Sequence, residues 1–441
     1  MINLTFREAI VVRFKALFQV RELRKRVLFT LGCFLVARVG VHIPVPGINM
    51  ELFNGFAQGN VFAQFLNLFS GGAVQRASIF SLGISPYINA SIVFQILGVL
   101  YPRIEEMQRE GGKEAEKITQ WTRYLTIITT IFQSAGIAIW LQSSNYVLDP
   151  GPRFIITTVV LITGGTAFLM WLSERISIKG LGNGTSMLIF LNIVANLPQV
   201  LTGTISQLKN SGRDLTLAYA SIILFLVIII VMVVVQLGER RIPIVYVGKS
   251  SRGVGETTQS VVGRKTYLPV KINTAGVMPI IFASMILAVP AAVIPVVKDP
   301  AMRSYLNNIF GQKGWAYLLL SVILIILFSF FYTAIVFDPD KIADNLKQSG
   351  GSIPLKRAGK ETSDFLEYVA TRITFGTAVF LAILGILPNI WFGYVLNIPV
   401  MLGGTSLLIL VGVAVELIQN IDSHLSTQKY KGFNNVRRRG R

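Results

Sequence analysis

Three clusters in this sequence have the residue types of familiar chemistry. Gly248-Lys249-Ser250 has the ending of a phosphate-binding loop, in which backbone N–H groups and a lysine cradle phosphates. Pro243 stands where that motif's first glycine belongs, so the cradle is missing. Gly180-Leu181-Gly182-Asn183-Gly184 has the glycines of a dinucleotide turn without the preceding strand or the spacing. It fits better as a place where two backbones approach or where a helix starts. The single cysteine, Cys33, cannot form an internal disulfide, and with His42 and His424 it is too little for a protein-only zinc site. Glu174, Glu239 and Glu416 lie near the ends of apolar stretches, not in mid-membrane, where ion or proton coupling would need them. No nucleophile, base and orienting group come together, and no metal or cofactor is called for. The residues point away from an enzyme, and energy for any movement must come from elsewhere.

The elements around these residues are dominated by membrane. Of 441 residues 52% are hydrophobic and only 14% charged, against about 25% charged in soluble chains. This excludes disorder, which needs few apolar residues. It also disfavours a soluble nucleic-acid binder, whose charge sits on a water-facing surface. A membrane-crossing helix needs about 20 mostly apolar residues because lipid offers its backbone no partners. Leu215 to Leu237 and Gly314 to Phe337 meet that need. So do Tyr124 to Leu148, Phe154 to Ser173, Gly180 to Leu208, Asn273 to Val297 and the more polar Ala77 to Pro102. Ile373 to Val415 is too long for one crossing and is broken at Pro388-Asn389, Asn397 and Pro399, which predicts two spans. Val27 to Ile43, interrupted by Arg38, is read as a tenth span and retained anchor, the alternative being a surface-lying segment.

The expected fold class is thus an all-α membrane protein with ten transmembrane helices. The alternating segments that would share a side with the termini hold 32 of the 41 Lys and Arg, and the opposite loops hold 7. By the positive-inside rule both termini are cytoplasmic. Ten spans divide into two inverted halves of five, an arrangement that often encloses a path at mid-membrane. The expected divisions are a cytoplasmic segment 1–26, a first half 27–202, an external linker 203–216, a second half 217–420 and a basic tail 421–441. An inverted-repeat solute transporter is the rival reading, but its coupling residues are missing.

The segment from Val61 to Gly72 has helical apolar spacing at half a span's length. It is either a re-entrant stopper shielded by protein or an amphipathic helix on the outer surface. Polar punctuation recurs at Gly83 to Ile88, Asn183 to Ile189, Asn273 to Pro279 and Gly403 to Ser406, as path lining or as interhelical hydrogen bonding. The loops 238–271 and 338–367 are long for connections. In the first, Ile242 to Val247 and Val261 to Lys271 have the composition of a hairpin. Their basic residues either dock on RNA phosphates or an acidic protein face, or only fix topology.

Phe69-Ser70-Gly71-Gly72-Ala73 followed by Arg76 to Ile88 resembles the plug and second span of the SecY family of bacterial protein translocase subunits. Gly182-Asn183-Gly184, Asn273 to Pro279, Ala343 to Lys347 and Gly403 to Ile409 are similar to that family's later signatures, in order. The resemblance implies a multi-pass protein of the bacterial cytoplasmic (inner) membrane. Its central pore would pass unfolded secretory chains and release transmembrane segments sideways into membrane lipids. It implies a pore ring at Ile84, Ile88, Thr185, Ile189, Ile281 and Ile409, with Thr185 departing from the usual aliphatic residue. It implies a plug carrying Val61, Phe62, Phe65, Leu66, Leu68, Phe69 and Ser70, and a lateral gate marked by Gln95 and Asn273. Lys249, Arg252, Arg264, Lys265, Lys356 and Arg357 would dock cytoplasmic partners, with Ala358 where a proline commonly follows the arginine. The implied partners are SecE and SecG, the motor ATPase SecA, the translating ribosome, signal sequences and nascent polypeptides.

Overall fold

The computed structural model describes residues 20–50, 67, 69–110, 112–210, 215–246, 266–293, 297, 299–311, 314–395 and 403–439. The expected plug residues Val61, Phe62, Phe65, Leu66 and Leu68 and the docking residues Lys249, Arg252, Arg264 and Lys265 lie outside the described residues. The chain divides into two compact units. Unit 1 comprises Met1–Gly212, Ala288–Tyr305 and Val413–Arg441; unit 2 comprises Arg213–Leu287 and Leu306–Gly412.

In chain order the helices are α1 (Arg21–Val41), α2 (Ser85–Leu100), α3 (Pro102–Glu110), α4 (Gly112–Ser143), α5 (Pro152–Lys179), α6 (Gly184–Asn210) and α7 (Leu215–Leu237). Strands β1 (Glu239–Tyr246) and β2 (Thr266–Lys271) precede α8 (Met278–Val293), α9 (Pro300–Phe310), α10 (Trp315–Val336) and α11 (Pro339–Gln348). Strand β3 (Gly351–Ser352), α12 (Lys360–Ile390), a π-turn at Trp391–Val395 and α13 (Gly404–Arg439) complete the order. Among the described residues six helical stretches are long and apolar enough to cross a membrane, or seven if α2 and α3, bent by 115° at Tyr101, count as one span.

Hydropathy locates these helices because their outer faces stay apolar. Leu28, Leu31, Leu35 and Val39 of α1 are exposed, while Leu23, Thr30, Cys33, Ala37 and Gly40 are buried on its other side. That spacing gives one helix a protein face and a lipid face. In α4 the inward stripe is small: Thr122, Thr126, Thr130, Ser134 and Ala138 recur every fourth residue. The Thr126 and Thr130 hydroxyls donate back to the carbonyls of Thr122 and Thr126 at 2.7 and 2.6 Å. Stripes of this kind let helices approach closely without leaving polar groups bare, and α4 packs along α5. At one end of the pair, Arg123 of α4 makes a two-pronged ion pair with Glu174 of α5, at 2.7 and 2.8 Å.

The expected span Ala77 to Pro102 is helical only from Ser85. Residues 71–84 form buried turns, with positive φ at Gly71, Gly72, Ala77 and Gly83. Their backbone finds partners outside a helix: Val45 N–H donates to the Ala77 carbonyl at 2.8 Å and Ile79 N–H to Ile43 at 3.1 Å. The Ser78 hydroxyl donates to the Gly40 carbonyl at 2.9 Å. These turns pack with Val45, Ile48, Ala138, Leu141, Phe154 and Ile162 into the core of unit 1. The break expected at Pro388-Asn389 also falls later, since α12 continues through Pro388 to Ile390. Pro388 removes one ladder bond, and the chain goes on from Ile390 into the π-turn at Trp391–Val395.

Within unit 2 the expected hairpin is present as β1 paired antiparallel with β2, with Ile242 opposite Leu268. β3 adds to the other side of β1 at Val245 and Tyr246, giving the order β2-β1-β3. Ile242 and Ile244 point inward between exposed Arg241, Pro243 and Val245, the period-2 alternation of a half-buried sheet. Ile242, Val270 and Ile353 form a small core with Leu366 and Val369 of α12. The loop 338–367 is therefore a packed platform. Asp338 caps α11 by accepting from Lys341 N–H, and the Ser363 hydroxyl donates to Asp340.

Candidate channel lining and docking loop

Four of the expected ring residues lie in unit 1. Ile84 directly precedes α2 and Ile88 lies one turn into it, both at most 3% exposed, with Ile88 N–H bonded to the Ile84 carbonyl at 3.1 Å. Thr185 and Ile189 lie one turn apart on α6. Ile189 is fully buried, whereas Thr185 is half-buried and its hydroxyl is hydrogen-bonded to that of Ser173 on α5 at 2.9 Å. The polar departure at 185 thus has a partner of its own on the neighbouring helix. Ile281 of α8 and Ile409 of α13, both buried, lie in unit 2.

The start of α6 is built by glycine. A Cβ at Gly184 would run into the Ser173 carbonyl, so only glycine lets α6 begin this close to α5. Its N–H donates to the Ser177 hydroxyl at 2.8 Å. Both readings of the Gly180–Gly184 cluster, close approach and helix start, describe this one site.

Of the expected plug, Phe69 and Ser70 are described; both are helical and 2% exposed. They end in a junction that sequence reasoning missed. Asn192 of α6 donates to the Phe69 carbonyl at 2.6 Å, and Asn196, one turn on, donates to the Asn67 carbonyl at 3.0 Å. From α1, Arg38 donates to the Gly71 carbonyl at 2.7 Å. The Asn67 side chain in turn accepts from Gln75 N–H at 3.2 Å. Backbone leaving a helix inside a membrane protein must find donors in protein; these three side chains supply them, and Gly72 N–H also donates to the Asn67 carbonyl at 3.0 Å. Beside the junction, Ser70, Ile84, Leu188 and Asn192 help line a cavity of about 10 Å3, close to the room one water needs. The available signals were two asparagines one turn apart in an apolar span and an arginine in another.

The two gate residues make local bonds. Gln95 donates to the Ser91 hydroxyl one turn earlier at 3.1 Å. Asn273, 7% exposed, donates to the Gly276 carbonyl at 3.0 Å and closes the turn before α8.

In the 338–367 platform, Lys356 and Arg357 are exposed. Lys356 N–H donates to the Ile353 carbonyl at 3.1 Å, closing a turn with Pro354 second and Leu355 third at φ +67°. That is the type II pattern, whose third position favours glycine. A leucine there costs on the order of 1 kcal/mol. The Arg357 backbone is pinned twice, its N–H on Glu361 at 3.1 Å and its carbonyl accepting from the Thr362 hydroxyl at 2.8 Å. The Lys356 ammonium lies 5.8 Å from the centre of the Phe365 ring.

Comparison with known proteins extends this geometry. The SecY family model matches residues 78–418. The protein translocase subunit SecY of Aquifex aeolicus is 40% identical over 432 residues, covering 95% of this chain and 98% of the relative. That of Thermotoga maritima is 38% identical over 431 residues, covering 95% and 97%. Among solved structures, one described as a protein-conducting channel superposes with a TM-score of 0.61 at 15% identity, covering 90% of this chain and 91% of the other. The canine Sec61 channel in a ribosome complex gives 0.59 at 15% identity with the same coverage. Those likenesses show the fold, and the family model with the curated relatives shows that this multi-pass membrane chain belongs to the SecY family of protein translocase subunits.

Proposed function

We propose that this translocase subunit forms the pore through which unfolded secretory polypeptides cross the bacterial cytoplasmic membrane, with both termini cytoplasmic, and from which transmembrane segments leave sideways into lipid. Ten spans in two inverted halves, 27–202 and 217–420 joined by 203–216, surround the path. Ile84, Ile88, Thr185, Ile189, Ile281 and Ile409 form its constriction. An apolar ring excludes ions by dewetting and imposes no sequence code on the passing chain. The segment around Val61 to Ser70 is the stopper, and Gln95 and Asn273 border the seam. SecE and SecG complete the assembly, while the loops 238–271 and 338–367 receive SecA and the ribosome.

One observation carries this reading: the carbonyls of Asn67, Phe69 and Gly71 are taken by Asn196, Asn192 and Arg38. A helix lying on the outer surface would bond to water and need no such donors, whereas a stopper re-entering the membrane does. A solved structure in which a SecY plug domain is described as stabilising the closed channel supports the same assignment, with a TM-score of 0.60 at 16% identity. The test is reconstitution of the chain with SecE and SecG in vesicles, with SecA and ATP outside. A precursor bearing its signal sequence should become protease-protected, and the same precursor without it should not. Equal exclusion of both, with active SecA, would overturn the proposal.

A further inference from the structure

The platform 338–367 presents one apolar side chain that its fold does not use. Leu355 is 102% exposed and stands in a left-handed backbone conformation at φ +67°. A singly exposed leucine is ordinary, and so is a left-handed residue in a turn when it is glycine or asparagine. The combination is not, because the left-handed backbone costs stability at a leucine and the exposed side chain returns none of it by burial. The backbone on either side of it is held in place. Ile353 behind it is 4% exposed in the platform core, and Arg357 ahead of it is held through both backbone groups. Next to Leu355 in the chain, Lys356 lies over the Phe365 ring, its ammonium 5.8 Å from the centre. The exposed cations Lys356 and Arg357 follow the leucine directly in the chain, and beyond them come exposed Lys360 and Glu361, the latter's carboxylate engaged by Arg357 N–H. Among the described residues no carboxylate side chain pairs with the Lys356 or Arg357 side chain.

We infer that Leu355 is an anchor that inserts into an apolar cleft rimmed by carboxylates on a cytoplasmic protein partner, with Lys356 and Arg357 meeting the rim. The inference rests on the docking role proposed above for this loop and names the contact that gives it specificity. Interfaces concentrate their affinity in a few anchors that fill desolvated pockets, surrounded by contacts that exclude water. An RNA surface would reward the two cations but leave the leucine against phosphates, so a protein cleft fits better.

The experiment measures binding of SecA to the full-length chain, assembled with SecE and SecG in lipid nanodiscs, at low and high salt. Leu355→Gly and Leu355→Asn both suit the left-handed turn, and asparagine adds none of glycine's freedom. Each should weaken binding about tenfold, by the same factor at both salt concentrations, with no loss of melting temperature. Leu355→Met should bind within about twofold of the parent. Arg357→Glu should weaken binding chiefly at low salt. Parent-like binding by both the glycine and asparagine variants would overturn the inference. If Arg357→Glu then still lost binding, the docking role would stand without the leucine; if it too bound normally, that role would fall as well. Loss of ribosome binding with SecA binding intact would likewise overturn the protein cleft in favour of an RNA-rich surface.

Discussion

At the scale of single residues, the junction after Ser70 shows how a polar side chain earns its place among apolar helices. Asn192 is 8% exposed and its amide donates to the Phe69 carbonyl at 2.6 Å. Asn192→Ala should cost about 1 kcal/mol of stability and loosen the attachment of the proposed stopper. A lower melting temperature together with a raised resting ion leak in planar bilayers is the expected outcome; parent-like values of both would contradict it. The proposed ring makes a separate prediction. If it is the constriction, glycine at both Ile84 and Ile409 should widen and wet it, giving steady ion current where the parent is tight. Residue-level legibility was uneven for a physical reason. Arg38 read as a flaw in a weak span, because its partner is the backbone carbonyl of Gly71, 33 residues away. Main-chain acceptors have no sequence signature. Leu355 was equally silent, since a type II turn is recognised by glycine and this one has none.

At the scale of elements, hydropathy finds what is long, uncharged and lipid-facing. It recovered α7 at the boundaries Leu215 to Leu237. It does not distinguish buried turns from buried helix, so the turn residues 77–84 fall inside the expected span Ala77 to Pro102. Both are apolar, and only the positive φ values and the hydrogen bonds to Ile43, Val45 and Gly40 separate them. Helix ends are set by individual contacts, as at Gly184. Gly184→Ala would drive a methyl into the Ser173 carbonyl and push α6 from α5. It should destabilise by about 1–3 kcal/mol, read as a lower melting temperature in detergent. The Ser173–Thr185 hydroxyl bond lies beside that contact, so the same variant should reposition the one polar member of the expected ring. A melting curve matching the parent's would mean that the two helices yield more easily than their backbone contact implies. The hairpin was legible from its β-favouring flanks, but the β3 strand of two residues was not, because it exists only by pairing with β1.

At the scale of the whole molecule, a strong basic asymmetry between alternate loops and polar punctuation in several spans fit a multi-pass membrane protein that passes a substrate. The family assignment over residues 78–418 agrees with that reading. What composition leaves open, and what the motifs supply, is the cargo. The most direct measurement places a photoreactive residue at position 281 and activates it while a secretory protein is stalled during translation in membranes carrying this chain. The expected result is a crosslink to the nascent polypeptide that disappears when its signal sequence is deleted. Absence of any crosslink from position 281, with translocation demonstrated and a control probe reacting, would contradict a polypeptide path past Ile281.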